Sequence, residues 1–371
     1  MKKYFLILLL IMMLTVTGCG KNNEAKTKND FIKETEKLEG YYLEGVMNLT
    51  NNDDNYQYNV QVSYQKPDYY KVVLTNNANN YTQILIRNDD GVFVTTPALN
   101  KSFKFQSEWP NNNSQSYLLH SVANDLKEDK EYAATEKDGE YEYTVKANYP
   151  NNRTLTKQKI TIDKDGNLKK VEVLDEKNIP MIEFTVTSID KKAVFKDDYF
   201  KVSEEKIEKE NKETKKEDDC TGENCLKNKT NDDTKEDTAN TDTSADTTGE
   251  ENNTSTTLSE TLFPLYLPDN TTLSNKEVVK IDGGERIIMT FSGESPFILV
   301  EETAQIAKEP TIIPTYGEPF LLVDTVGSLT DMSYTWTSNG IEYYIVSDVM
   351  EQEELLEVAK SLNVVSTIAT K

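Results

Sequence analysis

Residues 56–64 read Tyr-Gln-Tyr-Asn-Val-Gln-Val-Ser-Tyr, a strict alternation of large apolar or aromatic side chains with polar ones. Alternate side chains of a β-strand point to opposite faces, so a period of two predicts a strand with one buried face. The same kind of pattern recurs further along the chain. The other strands predicted before residue 202 are 69–75, 83–87, 92–95, 141–147, 155–162, 168–174 and 181–189.

Short polar turns separate these predicted strands. Asn88-Asp89-Asp90-Gly91 lies between two of them and Asp163-Lys164-Asp165-Gly166-Asn167 between two others, and both predict hairpins. The second turn superficially resembles a calcium loop. Its glycine comes too early, however, and no glutamate closes the loop at the twelfth position.

Helical spacing is rare in this part of the chain. Residues 31–38 predict one short helix, and apolar residues at helical spacing predict another over Ser116–Leu126. A long antiparallel meander with few helices is typical of a strongly curved sheet that wraps around them. We therefore predict an α+β fold over residues 31–202, built on a strongly curved, half-closed antiparallel β-sheet with helices.

Composition changes sharply after this region. Residues 203–257 contain few apolar side chains and are rich in Lys, Glu, Asp and Thr, so they predict a disordered acidic linker. Strand patterns then return, with an Asn339-Gly340 hairpin signal and a closing helix, and predict a second small α+β domain. The predicted order is signal peptide 1–18, tether 19–30, curved-sheet domain 31–202, linker 203–257 and C-terminal domain 258–371.

The first residues are typical of a secretion signal. Lys2 and Lys3 precede an apolar run, 4–14, that is too short to span a bilayer. The sequence Val-Thr-Gly-Cys that ends at Cys19 resembles the lipobox of bacterial lipoproteins, which implies cleavage between Gly18 and Cys19 and a diacylglyceryl group on the Cys19 thiol. An uncut signal anchor is the alternative. The predicted location is the extracytoplasmic face of the cell membrane.

The charge balance limits the partners. The formal net charge is −23, with 64 acidic and 41 basic residues, whereas nucleic-acid binding needs basic surface. We therefore expect no nucleic-acid partner and expect membrane attachment to depend on the lipid. Cys220 and Cys225 are separated by four residues in the hydrophilic stretch. They are expected to form a small disulfide loop, to remain as two free thiols or, least favoured, to belong to a metal site.

Catalytic signatures are missing from the sequence. The single histidine, His120, lies in the second predicted helix, where a structural or exposed role is favoured. Trp109 precedes a proline in a predicted loop, and either gates a pocket or, as we favour, packs in the core. Trp336 alternates with Tyr334 and is predicted to be core. We expect no catalytic residue, no metal and no cofactor other than the lipid on Cys19, although a carboxylate pair cannot be recognised among so many acids.

The first domain resembles the LolA-like lipoprotein-carrier family. The resemblance runs over nearly all of residues 31–202 and rests on the order of individually weak motifs. These motifs are 66–72, 88–94, 97–105, Tyr117-Leu118-Leu119, 160–174 and 195–200. The family implies an incomplete β-sheet closed by helices over an apolar cavity, which in carriers holds acyl chains.

The second domain is similar to a small uncharacterised domain of Gram-positive envelope proteins. The resemblance rests on Leu267-Pro268-Asp269, on residues 334–344 and on the helix that ends at Leu362. The two-domain arrangement also resembles periplasmic regulators that bind a protein partner. LolA-like lipoproteins of spore-formers, which act in sporulation and germination, are a further likeness.

Three hypotheses follow. The leading one is a membrane-anchored, non-enzymatic envelope lipoprotein that binds an apolar ligand or an envelope protein through its curved sheet. The second is a structural or regulatory lipoprotein in sporulation, germination or envelope-stress signalling that acts through protein contacts alone. The third is an envelope hydrolase that uses carboxylates. A freely diffusing carrier is disfavoured because a lipid-anchored chain cannot shuttle.

Overall fold

The computed structural model describes residues 21–51, 54–150, 152–218, 261–322 and 324–362. Gly18 and Cys19, with the predicted signal and lipidation site, lie outside the described residues. Cys220 and Cys225 lie outside them as well, so their pairing stays a prediction.

The first sheet has twelve strands in the order β15-β6-β5-β4-β3-β2-β1-β11-β10-β9-β8-β7. Every neighbouring pair is antiparallel except β6 and β15, which are parallel. Its strands in the first domain are β1 Gly40–Asn51, β2 Asp54–Gln65, β3 Tyr69–Asn76, β4 Thr82–Asn88, β5 Gly91–Thr96, β6 Lys101–Phe105, β7 Ala133–Lys137, β8 Glu140–Lys146, β9 Lys157–Asp163, β10 Leu168–Leu174 and β11 Pro180–Asp190. A 3₁₀ turn, Pro97–Leu99, joins β5 to β6.

The alternating residues 56–64 form a strand with one buried face, as predicted. Tyr58, Val60, Val62 and Tyr64 of β2 are all buried in the core, while the polar residues between the first three are exposed. Both polar turns form hairpins as predicted. In the second, the carboxylate of Asp163 accepts hydrogen bonds from backbone N–H groups of its own turn, which leaves it as a turn-stabilising group.

Three helices accompany this sheet: α1 Lys21–Glu36, α2 Leu119–Glu128 and α3 Glu204–Asp218. The predicted helix at 116–126 is present as α2, shifted by two to three residues. The polar tether predicted for residues 19–30 is wrong for its described part, because α1 begins at Lys21. The carbonyl of Glu24 accepts a 2.7 Å hydrogen bond from the Tyr143 hydroxyl, and the Lys28 ammonium lies 3.9 Å from the Tyr132 ring centroid. These contacts hold a polar sequence in helical form.

The predicted linker also begins differently. Its first residues form α3, which docks on the first domain through the buried Ile207 and through an ion pair of 2.7 Å between Glu210 and Lys71. A second ion pair joins Lys206 to Asp198 at 3.4 Å. These few contacts hold the helix because it lies against an existing surface. The prediction of disorder is therefore wrong for residues 204–218, and the rest of that stretch lies outside the described residues.

The first strand, β1, was not predicted, and Gly45 lies at its centre. An added Cβ would lie 2.4 Å from the Phe184 ring and 2.7 Å from the Thr185 carbonyl oxygen, where the register with β11 shifts. We expect Gly45→Ala to destabilise the protein by about 1–3 kcal/mol through overpacking. Urea denaturation measures this loss. Gly139→Ala is unsuitable as a control, because the positive φ of Gly139 itself disfavours alanine. Ser188→Ala, at an exposed position of β11, is the control. Equal losses of stability in Gly45→Ala and Ser188→Ala would contradict the prediction.

The second sheet has seven strands in the order β12-β13-β14-β19-β18-β17-β16. Its strands are β12 Thr271–Ile281, β13 Gly284–Gly293, β14 Phe297–Thr303, β16 Glu318–Leu322, β17 Thr325–Leu329, β18 Ser333–Ser338 and β19 Ile341–Val346, and helix α4, Gln352–Lys360, covers one face. Asn339 and Gly340 have positive φ angles of 50° and 76°, which confirms the predicted hairpin. Trp336 is buried between Tyr334 and Tyr343, with ring centroids 5.0 and 4.9 Å away, as predicted for a core residue.

The two sheets are joined by more than the linker. Strand β15, Thr311–Thr315, leaves the second domain and pairs in parallel with β6 at the edge of the first sheet. The adjoining loop adds a hydrogen bond of 3.0 Å from the Ala307 N–H to the Leu99 carbonyl. The C-terminal region therefore covers a sheet edge that would otherwise be free to pair with another chain.

Candidate functional site

An apolar cavity of about 170 Å³ lies where the two domains meet. The first domain contributes apolar and aromatic side chains from β1, β4 and β11 and from two loops: Met47, Leu49, Leu85, Trp109, Tyr117, Tyr149, Leu155, Met181 and Ile182. It also contributes a smaller polar part of the wall: Thr50, Asn51, Asn113, Ser114, Gln115, Ser116 and Asn152. The second domain contributes Pro319, Phe320, Leu321, Leu322, Val326 and Lys360. Side chains of α2, such as Leu119 and Val122, fill much of the concave face of the curved sheet. The cavity therefore lies beside this filled region, and side chains of the second domain complete its wall.

A single buried side chain fastens the two domains beside the cavity. Gln83 of β4 donates from Nε2 to the carbonyl oxygen of Val326 at 2.9 Å. Its Oε1 accepts from the N–H of Val326 at 2.6 Å and from the Thr325 hydroxyl at 3.1 Å. The carboxamide thus satisfies backbone groups of β17 much as a neighbouring strand would.

The packing across this boundary is interlocked. Val326 of the second domain is buried within the hydrophobic core of the first, and Tyr56 of the first domain packs against the core of the second. At the rim, Glu318 accepts hydrogen bonds from Ser107 and from Asn112. The cavity walls are therefore held in register by contacts from both domains.

The cavity offers little for chemistry. Among its lining residues only Lys360 carries a charge, and this residue pairs with Glu357 at 2.6 Å. Tyr117 and Tyr149 also line it, and burial raises the pKa of both hydroxyls well above the usual tyrosine value. Neutral phenols among apolar side chains suit binding of an apolar group.

Trp109, predicted to gate a pocket or to pack, lies in the cavity wall. It is 2% exposed, and its ring meets Tyr70 edge-on at 6.2 Å. Its carbonyl accepts a hydrogen bond of 2.6 Å from Arg87, whose guanidinium also pairs with Asp68. Trp109 is thus packed in the core and also borders the cavity, and its role as a gate stays a prediction.

His120 lies among aromatic side chains of the first domain. Its ring packs against Tyr64 at 4.2 Å and Tyr41 at 6.0 Å. Burial lowers its pKa to about 4, so the imidazole is neutral at physiological pH. This is the structural role that the sequence favoured.

The most perturbed carboxylates do not form a pair. Burial raises the pKa of Asp125 in the first domain to about 6 and that of Glu301 in the second to about 7. Each belongs to a different core. In the described parts of the chain, no group of three or more His, Cys, Asp or Glu side chains is placed to hold a metal ion.

The sequence resemblance implied an apolar cavity within the first domain, so it missed the position of this cavity between the domains, and it missed Gln83. A signal for Gln83 was present, because a glutamine at the start of the apolar run Ile84-Leu85-Ile86 needs a buried hydrogen-bond partner. The identity of that partner, more than 240 residues further along the chain, was not contained in any local pattern.

The part of the chain that the structure describes contains no helix of the length and apolar character that a membrane crossing requires.

Comparisons with known proteins place the chain in a family. A model described as "Sporulation protein YdcC-like" matches residues 1–200. "Sporulation protein YdcC" of Bacillus subtilis (strain 168) is 32% identical over 364 residues, which cover 97% of this chain and 97% of that protein.

Similarity to solved structures is more distant. The chain aligns with the Pseudomonas aeruginosa MucA/MucB complex structure at a TM-score of 0.29 and 12% identity, covering 90% of this chain and 96% of that one. A putative outer membrane lipoprotein-sorting protein domain from Vibrio parahaemolyticus aligns at a TM-score of 0.31 and 11% identity, covering 49% and 97%. The predicted likeness to a protein of spore-formers agrees with the two sequence comparisons. On the strength of the two sequence comparisons, the chain belongs to the YdcC-like family of sporulation proteins.

Proposed function

We propose that this chain is a lipid-anchored, non-enzymatic envelope protein of sporulation that captures one apolar side chain of a protein partner in its interdomain cavity. The observation that carries the proposal is a cavity with apolar walls supplied by both domains. A partner that enters it contacts both domains at once, so binding depends on their relative position. Family membership supports the association with sporulation, and the lipobox at Cys19 supports the anchor.

The size of the cavity selects the occupant. A dry cavity of about 150 Å³ takes up a molecule as small as benzene, whereas drug-sized ligands occupy sites of roughly 300–1,000 Å³. At about 170 Å³, this cavity matches one apolar side chain and is too small to enclose a whole acyl chain. A captured protein segment is therefore favoured over a carried lipid, which was the other half of the leading hypothesis.

The anchor is consistent with such a role. A protein held at the membrane surface by lipid on Cys19 meets partners that are held there or pass nearby, and cannot carry cargo across a gap. The chain as a whole has a net charge of −23, which limits its attraction to anionic lipid.

Filling the cavity tests the proposal. We expect Met181→Trp to abolish uptake of benzene, because the indole occupies the space that β11 and the second domain enclose. Uptake is measured as a benzene-dependent rise in melting temperature of the full chain. The same variant should lose its partner in crosslinking of sporulating cells.

Ile179→Trp is the matched control, because Ile179 is 48% exposed, lies two residues away and does not line the cavity. It should behave like the native protein in both measurements. The proposal is wrong if Met181→Trp retains its crosslinked partner while benzene uptake is gone, or if acyl material copurifies with the native protein in stoichiometric amount.

A further inference from the structure

A second concave surface, the polar groove, adjoins the apolar cavity. Asn113 and Ser114 line both, but the polar groove is walled by the loop around Pro110 and by the exposed side of α2. Its remaining lining residues are Glu36, Tyr70, Asn111, His120, Ser121, Ala123, Asn124, Asp125, Lys127 and Asn148. Its volume is about 430 Å³, within the range of roughly 300–1,000 Å³ that holds small molecules.

The charges of the polar groove are already compensated. Lys127 pairs with Glu36 at 2.7 Å, so neither is available to a charged ligand. His120 is neutral because burial lowers its pKa, and Asp125 already accepts a hydrogen bond from Gln158. The described residues that line the groove therefore offer no unpaired cation that could bind an anion. The carboxylate of Asp125 alone does not hold a metal ion. The electrostatics select a neutral ligand.

Hydrogen-bonding capacity, in contrast, is abundant. The carboxamides of Asn111, Asn124 and Asn148 line the groove and make no hydrogen bond to other described residues. Each carboxamide offers two donors and a carbonyl acceptor. The groove therefore presents both donors and acceptors on three of its lining residues.

Three carboxamides without partners among the described residues suit one class of neutral ligand. Every hydroxyl of a sugar both donates and accepts hydrogen bonds, as a carboxamide does. We propose that the polar groove binds a neutral saccharide through Asn111, Asn124 and Asn148. This site is separate from the apolar cavity, so the chain would carry two binding surfaces on adjacent sides of one loop.

Titration of the full chain with defined oligosaccharides tests this proposal. The probes are tri-N-acetylchitotriose, which carries N-acetyl groups as cell-wall glycans do, and maltotriose, which lacks them; isothermal calorimetry measures binding. We expect binding of at least one of them at millimolar concentration or below. A preference for the first probe assigns the site to an acetylated glycan, and a preference for the second assigns it to a glucan.

The variant Asn124→Ala/Asn148→Ala removes two of the three carboxamides. Both side chains are exposed, so the fold should be retained, and each lost hydrogen bond should weaken binding about threefold to tenfold. Asn59→Ala, an exposed asparagine on β2 outside the groove, is the matched control and should leave affinity unchanged. Met181→Trp should also bind the saccharide normally, which separates this site from the cavity.

Three results would overturn the proposal. Neither trisaccharide binds at millimolar concentration, the double variant binds as tightly as the native chain, or triglycine binds as well as the sugars. The last result would show that the carboxamides recognise peptide groups in place of hydroxyls.

Discussion

We expect the native protein to lose stability as pH rises from 4.5 to above 7, and we expect Glu301→Gln to be free of this loss. Glu301 is fully buried on β14, and only its Oε2 has a partner, the N–H of Leu262 at 3.3 Å. Burial raises the pKa of its carboxyl from 4.5 to about 7, against a smaller opposing effect of the Leu262 N–H and of Lys276. The folded state therefore holds a proton that the unfolded chain has lost.

The sign of the effect follows from this difference. A group with a raised pKa in the folded state contributes stability that is complete below pH 4.5 and is lost as pH rises through about 7. The span from 4.5 to about 7 corresponds to about 3 kcal/mol of unfolding free energy. Glutamine does not titrate, so Glu301→Gln should show a pH dependence smaller by that amount.

Denaturation by urea at several pH values measures the difference, and hydrogen exchange of peptides from β14 assigns it to the second domain. Asp125, whose pKa is also raised, titrates in both proteins and cancels in the comparison. Glu302→Gln is the control, because Glu302 pairs with Arg286 and is less buried than its neighbour. Identical pH profiles for native protein and Glu301→Gln would rule out a protonated Glu301.

Local patterns predicted much of the first domain. The alternation in β2 and the turns at Asn88–Gly91 and Asp163–Asn167 were sufficient, because they depend on neighbours in sequence and on which face is buried. The curved sheet, the α+β class and the hairpin at Asn339-Gly340 followed from the same rules. Strand β1 escaped because Gly40 and Gly45 interrupt its pattern, and these glycines are present because Ala193, Phe184 and their neighbours approach closely.

Long-range contacts could not be predicted in this way. The sequence around β15 predicts a loop, because Pro310 and Pro314 lie within five residues of one another. The segment forms a strand because β6 offers it an unpaired edge. Helix α1 likewise extends to Lys21 only because the first domain supplies contacts to Glu24 and Lys28. The apolar cavity depends on all these placements together, so no single stretch of sequence announces it.

The interdomain contact yields the last prediction, the substitution Gln83→Leu. The variant keeps the volume of the side chain but removes the carboxamide that satisfies the N–H and carbonyl of Val326 and the hydroxyl of Thr325. Buried polar groups left without partners cost about 1–3 kcal/mol each. The two backbone groups of Val326 alone therefore predict a loss of about 2–6 kcal/mol in unfolding free energy.

The loss should have a characteristic form. Because Gln83 belongs to the first sheet and Val326 to the second, we expect one coupled transition for the native protein in calorimetry and separate transitions of the two domains for the variant. Benzene uptake should fall as well, since Val326 and Leu322 no longer hold their positions in the cavity wall. Gln57→Leu, on the exposed side of β2, is the control and should change stability by no more than about 0.5 kcal/mol. If Gln83→Leu unfolds like the native protein and still takes up benzene, the carboxamide does not couple the domains, and the packing around Val326 and the other interdomain contacts must hold the cavity together.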